Sequence, residues 1–123
     1  ANSRRRVSRR TMRSLTEKIA GRAQRLEDLA PEFSGLPEGV SATENLYSSE
    51  LDQLMEEENI IVDSIQADLA KNDTGMLEDF LATFGAASEA GKKNLQSLHL
   101  KVMDMLRFEV LQNNRTDLKS YLS

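Results

Sequence analysis

The sequence predicts an all-α protein: an elongated helical hairpin or three-helix bundle with coiled-coil-like packing and a disordered basic N-terminal arm. Leucine dominates the apolar residues, seventeen against nine Val plus Ile, a ratio that favours helix over strand. No stretch alternates apolar and polar residues between turn signals, as a half-buried strand would. Apolar residues instead recur every three to four positions over long spans. Gly and Pro cluster in one segment, 31–39.

The first helix is expected over about 14–29, with its start near Thr11 or Ser14. Ser14 is a favourable N-cap, Glu17 completes a capping box, and Leu15, Ile19, Leu26 and Leu29 share one face. Pro31 is expected to end it. The loop that follows, to about residue 40, holds Gly35, Pro37 and Gly39, with Phe33 and Leu36 pinning it to the body. Ser41 and Glu44 form a second capping box ahead of a helix over about 43–70. Its stripe is Tyr47, Leu51, Leu54, Met55, Ile61, Ile65 and Leu69, nearly heptad, interrupted at Glu58 within the acidic run Glu56-Glu57-Glu58. That run reads as a solvated face.

Lys71-Asn72-Asp73-Thr74-Gly75 is a turn in which Asp73 or Thr74 caps the third helix. A connection this short joins antiparallel neighbours. The third helix is expected over about 75–113, with Leu77, Leu81, Phe84, Leu95, Leu98, Val102 and Met105 in heptad spacing. Its centre is made of small residues, Gly85 to Ser88, Ala90 and Gly91. They imply either close approach of another helix or a break near Gly85 or Gly91. A last amphipathic turn over 117–122 carries Leu118, Tyr121 and Leu122.

Unbroken, the second and third helices would span roughly 40 and 55 Å, long for a chain of 123 residues. Narrow stripes of two residues in seven mark coiled coils rather than globules. With only 39% hydrophobic residues, such helices need a partner to complete their burial. The expected assembly seam is Leu51, Leu54, Ile61, Ile65, Leu77, Leu81, Phe84, Leu95, Leu98 and Val102, acting as apolar knobs.

Charge divides the chain. Residues 1–25 carry nine basic residues against one acid; residues 26–123 carry seven against nineteen. The net charge of −4 therefore hides a basic arm, residues 1–13, on an acidic helical domain, residues 14–123. The arm starts at Ala1 without an initiating Met, which reads as a processed or trimmed chain. It is Arg- and Ser-rich and acid-poor, as transit peptides are, although a mature chain would have lost one. Val7 and Met12 are its only large apolar residues, too few to offset ordering entropy. Arg4, Arg5, Arg6, Arg9, Arg10 and Arg13 are candidates for electrostatic contact with nucleic-acid phosphates or an acidic protein surface. No aromatic interleaves them, so base stacking is not expected. Arg5-Arg6-Val7-Ser8 resembles the substrate pattern of basophilic kinases, which makes Ser8 a candidate phosphosite.

Much chemistry is excluded by composition. Cys is absent, which removes disulfides and thiolate metal sites, and the single His99 removes multi-histidine zinc sites. No Gly-rich phosphate loop, nucleophile elbow or zinc-protease motif occurs. No catalytic residue, metal or cofactor is therefore expected, and no apolar run is long enough to span a membrane. Of the five Met residues, most are expected to fill core. The function expected first is a non-enzymatic assembly subunit that packs through its helices into homo- or hetero-oligomers. The alternatives are a sequence-nonspecific nucleic-acid-binding structural protein (virion, packaging or chromatin) and a small helical adaptor regulated by phosphorylation of the arm. The expected setting is intracellular, cytoplasmic or nuclear, or a virion, and not secretory.

Overall fold

In the computed structural model, described for the backbone of residues 6–34 and 40–122 and the side chains of residues 6–21 and 49–122, every regular element is helical. The elements are α1 (Arg9–Ser34), α2 (Val40–Leu69), α3 (Gly75–Ala86), α4 (Glu89–Asn94), α5 (Gln96–Asn113) and a C-terminal 3₁₀ helix (Thr116–Tyr121).

Helix α1 starts at Arg9, two residues before Thr11 and five before Ser14, the two expected starts. Ser8 is the cap: its hydroxyl oxygen accepts the Thr11 amide at 3.2 Å, and its carbonyl accepts the Met12 amide at 2.9 Å. The early start follows from burial. Met12 and Ile19 are fully buried and Leu15 and Ala20 half-buried, so the apolar stripe of α1 begins inside the segment read as an arm. Thr16, also fully buried, satisfies its hydroxyl by donating to the Met12 carbonyl at 2.8 Å. At the other end α1 runs past Pro31 to Ser34, correcting the expected stop at residue 29. The side chains of Phe33, Leu36, Ser41, Glu44 and Tyr47, given roles above, lie outside the described residues.

The turn between α2 and α3 forms where Asn72 adopts a left-handed conformation, φ 62°. The Lys71 and Asp73 amides both donate to the Asp68 carbonyl. Thr74 stands at the N-cap of α3 but makes no side-chain capping bond; its hydroxyl donates to Glu78 at 2.6 Å, and Asp73 accepts the Gly75 amide at 2.8 Å instead.

The expected 75–113 helix is three helices. Ala87 and Ser88 are extended, and the Ser88 hydroxyl caps α4 by accepting the Gly91 amide at 3.0 Å. The break falls within the small-residue run, between its two glycines and not at either of them. Leu95 then joins α4 to α5 with near-helical dihedrals. Gly91 is buried, and a Cβ there would stand 3.2 Å from the Ala87 Cβ and 3.5 Å from the Ala20 Cβ. The small residues thus serve both readings: the chain breaks, and α4 packs closely on α1, with the Asn94 side-chain amide donating to the Ala20 carbonyl.

Cross-links order the bundle. Arg6–Asp68 and Lys18–Glu57 pair rising residues of one segment with falling residues of the other, so α1 lies antiparallel to α2. Glu58–Lys101 and the Arg115–Leu69 carbonyl bond rise together, so α2 and α5 run parallel. Helix α1 packs on α2, α3 and α4, while α5 packs on α2 and the 3₁₀ helix. One core results, built on Met12, Ile19, Ile61, Leu77, Phe80 and Leu98 from four helices. Asn114, φ 55°, closes α5 with the Arg115 amide on the Glu109 carbonyl, and Leu118 returns to the core, fully buried.

Candidate interaction surface

Nine of the ten positions of the expected seam come together, but inside one chain. Ile61, Ile65, Leu77, Leu95, Leu98 and Val102 are buried, and Leu54, Leu81 and Phe84 pack against them half-buried; Leu51 is half-buried on α2. A side chain already covered by its own helices offers nothing to a partner while this fold holds. The heptad spacing recorded burial, and burial here is intramolecular.

Two arginines of the basic segment, Arg6 and Arg9, are paired within the chain while staying exposed. The Arg9 guanidinium makes a two-bond contact with Asp79, at 2.8 and 3.0 Å. It passes over Gly75, where a Cβ would meet its Nη1 at 2.8 Å. The hydrogen bonds from Arg9 hold the Asp79 carboxyl below its ordinary range, and the same contact raises the guanidinium. Arg6 donates to Asp68 at 3.2 Å, and the Val7 amide donates to the Ser64 hydroxyl. Residues 6–13 are therefore ordered against the acidic body of their own chain, which corrects the expected disorder for that stretch. Arg4 and Arg5 lie outside the described residues. Arg10 and Arg13 remain exposed on α1. Ser8 is exposed as well, although its hydroxyl is engaged at the cap.

The acidic run departs from the solvated-face reading. Glu57 and Glu58 are buried, Glu58 at 3% exposure, and meet Lys18 at 2.9 Å and Lys101 at 2.7 Å. Glu56 alone of the three is exposed. A buried carboxylate needs a cation, and α1 and α5 each supply one to adjacent residues of α2.

His99 stacks on Phe84, with ring centroids 4.4 Å apart and planes at 22°, and Phe80 lies beyond at 6.4 Å. Burial lowers its pKa, so the neutral ring is favoured. It stands as an aromatic packing element. The C-terminal turn is fixed by Arg115, which holds Asp117 through two bonds and donates to the Leu69 carbonyl at 2.6 Å. The hydrogen bond from Arg115 lowers the Asp117 carboxyl.

An open groove of about 470 Å³ runs between α1 and α3–α4, lined by Ala20, Gly21, Ala82, Ala87 and Gly91 with Arg13 at its rim. No group of three or more His, Asp or Glu side chains spaced to hold a metal occurs among the described residues. Nor is any helix among them long and apolar enough to cross a membrane.

The surface that stands out is the outer face of α5. Leu100, Phe108 and Leu111 are exposed by 54, 55 and 76%, large values for apolar side chains. Asp104 and Arg107 lie between them, paired at 2.8 Å. The inner face carries Leu98, Val102, Met103, Met105, Leu106 and Glu109. Reading only the heptad stripe missed the outer three, because they fall off it. Their own spacing of eight and three residues, which also keeps one helix face, was the available signal. Met55, the exposed exception among the five methionines, lies on α2; Met12, Met76, Met103 and Met105 fill core.

Comparison of the chain with protein-family models, with curated proteins and with solved structures returned no match, so these surfaces are interpreted from their own chemistry.

Proposed function

We propose that this chain is a non-enzymatic helical subunit that assembles with protein through the outer face of α5, while its basic N-terminal edge makes electrostatic contacts. One observation carries the reading: three large apolar side chains line a single helix face opposite a core that the chain completes by itself. Exposed apolar side chains interleaved with a charged pair on one helix face are the composition of an interaction patch. The contact surface in this proposal is Leu100, Phe108 and Leu111, in place of the ten seam residues.

The test is the native size of the full chain in extracts of its source cells. The chain should migrate in a complex well above its own 13.8 kDa. Phe108→Asp with Leu111→Asp should collapse that complex while leaving helicity intact. Wild-type chain migrating as a monomer would remove the reading.

Among the described residues, a second reading, sequence-nonspecific binding to nucleic acid, is favoured by the exposed Arg10 and Arg13. Arg6 and Arg9 count against it, because phosphate would have to displace Asp68 and Asp79. Arg10→Gln with Arg13→Gln should flatten the salt dependence of binding to duplex DNA if this reading holds.

A further inference from the structure

We propose that the α5 face is occupied by a second copy of this chain, laid antiparallel across a two-fold axis passing between residues 105 and 106. The inference rests on the assembly reading above and names the partner.

At 3.6 residues per turn, positions 100, 104, 107, 108 and 111 fall within about 100° of arc, on the side of α5 away from its core-facing residues. Along that face the order is apolar, acidic, basic, apolar, apolar. The sequence positions are symmetric. Leu100 and Leu111 are equidistant from the point midway between 105 and 106, and so are Asp104 and Arg107. An antiparallel copy therefore sets Leu100 on the partner's Leu111 and Asp104 on the partner's Arg107, with the two Phe108 rings along one edge of the contact. Every contact occurs twice. A parallel copy in the same register would instead set Asp104 on Asp104 and Arg107 on Arg107. Two-fold association demands a surface complementary to itself, and this stripe has that property in charge as well as in apolar size. The side chains of Asp104 and Arg107 are 76 and 54% exposed, free to reach across as well as to each other.

The stripe is about 16 Å long between Leu100 and Leu111. One helix per copy buries less than the roughly 800 Å² per partner of a standard interface, so the dimer belongs to the small, reversible class. Its dissociation constant should lie on the order of 10 µM.

Sedimentation of the purified full chain from about 2 to 500 µM tests this. Wild type should shift from monomer to twice the monomer mass of 13.8 kDa across the series. Phe108→Asp with Leu111→Asp should stay monomeric with unchanged circular dichroism. Asp104→Arg alone and Arg107→Asp alone should each weaken the dimer at least tenfold, by placing like charges opposite one another. The double exchange, Asp104→Arg with Arg107→Asp, should return within about threefold of wild type, because it restores complementarity only in this register. A wild-type chain that remains monomeric at the highest concentration overturns the proposal. So does a dimer indifferent to Phe108 and Leu111, or a double exchange no better than its singles. If the purified chain is monomeric while the cellular complex persists and depends on Phe108 and Leu111, the second copy is excluded and the assembly reading stands. If both are monomeric, both fall.

Discussion

Ser8 accepts the Thr11 amide and so fixes where α1 begins. Ser8→Ala is expected to cost about 1 kcal/mol, read as a lower urea midpoint. Ser8→Asp should match or exceed wild type, since Asp caps as well and adds charge at the positive end of the helix. A midpoint below wild type for the aspartate variant would show that the cap is not what the hydroxyl provides. Phosphate at Ser8 would act on the same helix start. Glu58 raises the opposite kind of question, that of a charge taken out of water. Removing its cation with Lys101→Met should cost about 2 kcal/mol, discounted from a fully buried pair because Lys101 keeps 37% exposure. Adding Glu58→Gln should recover part of that loss. His99 sets a pH window. Its folded pKa lies below the ordinary 6.5 because burial disfavours the charged ring. Below about pH 6.5 the unfolded chain binds the proton first, so stability is full above that value and falls as pH drops toward the folded pKa. His99→Phe should remove that segment of the dependence, measured as the difference between the two proteins' melting temperatures from pH 7.5 to 5.

Helix α4 is held by what its residues lack. Gly91→Ala gains helix propensity but presses a methyl against Ala87, Ser88 and Ala20 at 3.2 to 3.5 Å, two effects of opposite sign. Gly91→Leu has no such balance and should cost about 3 kcal/mol by forcing α4 off α1, with the loss visible as faster amide exchange in both helices. Unchanged exchange in α1 would mean that the two helices are not coupled there. The break at Ala87–Ser88 was half-legible in sequence. The small residues signalled a weak point, but a serine that caps locally looks like any other serine until an extended residue precedes it. Helix α2 read well from its spacing, because a long periodic stripe is the most robust signal a sequence carries. The start of α1 did not. Met12 was weighed as an isolated apolar residue among arginines, whereas with Leu15 and Ile19 it begins a face.

Over the whole molecule, the asymmetry of charge and the apolar stripes were both visible in sequence, and both imply that something is covered. Neither says by what. The core residues Ile61 and Leu98 are covered by neighbouring helices, and Asp68 and Asp79 by Arg6 and Arg9 of the same chain. Pairing across 57 to 74 residues of sequence is a tertiary fact with no local signature. The consequence is testable: Ile61→Asp or Leu98→Asp should abolish helical circular dichroism at 25 °C, since a buried unpaired carboxylate disrupts the common core. A well-folded but less associated protein would return these residues to an interface. For the same reason, truncating residues 1–13 would remove Met12 along with the arginines, so neutral substitutions of Arg10 and Arg13 are the cleaner probe of charge.

The bond from Asn94 to the Ala20 carbonyl, spanning 74 residues, also bears on how the chain is made. On the ribosome, Ala20 emerges long before Asn94, by about 4 to 15 s at ordinary elongation rates. Through most of that interval the α1 face of Met12, Leu15 and Ile19 lacks α3, and throughout it lacks a complete α4. The earliest helix synthesised is then among the last to be enclosed. Nascent chains stalled near residue 70 should be more open to chaperone capture at α1 than chains stalled well after α5 has cleared the tunnel.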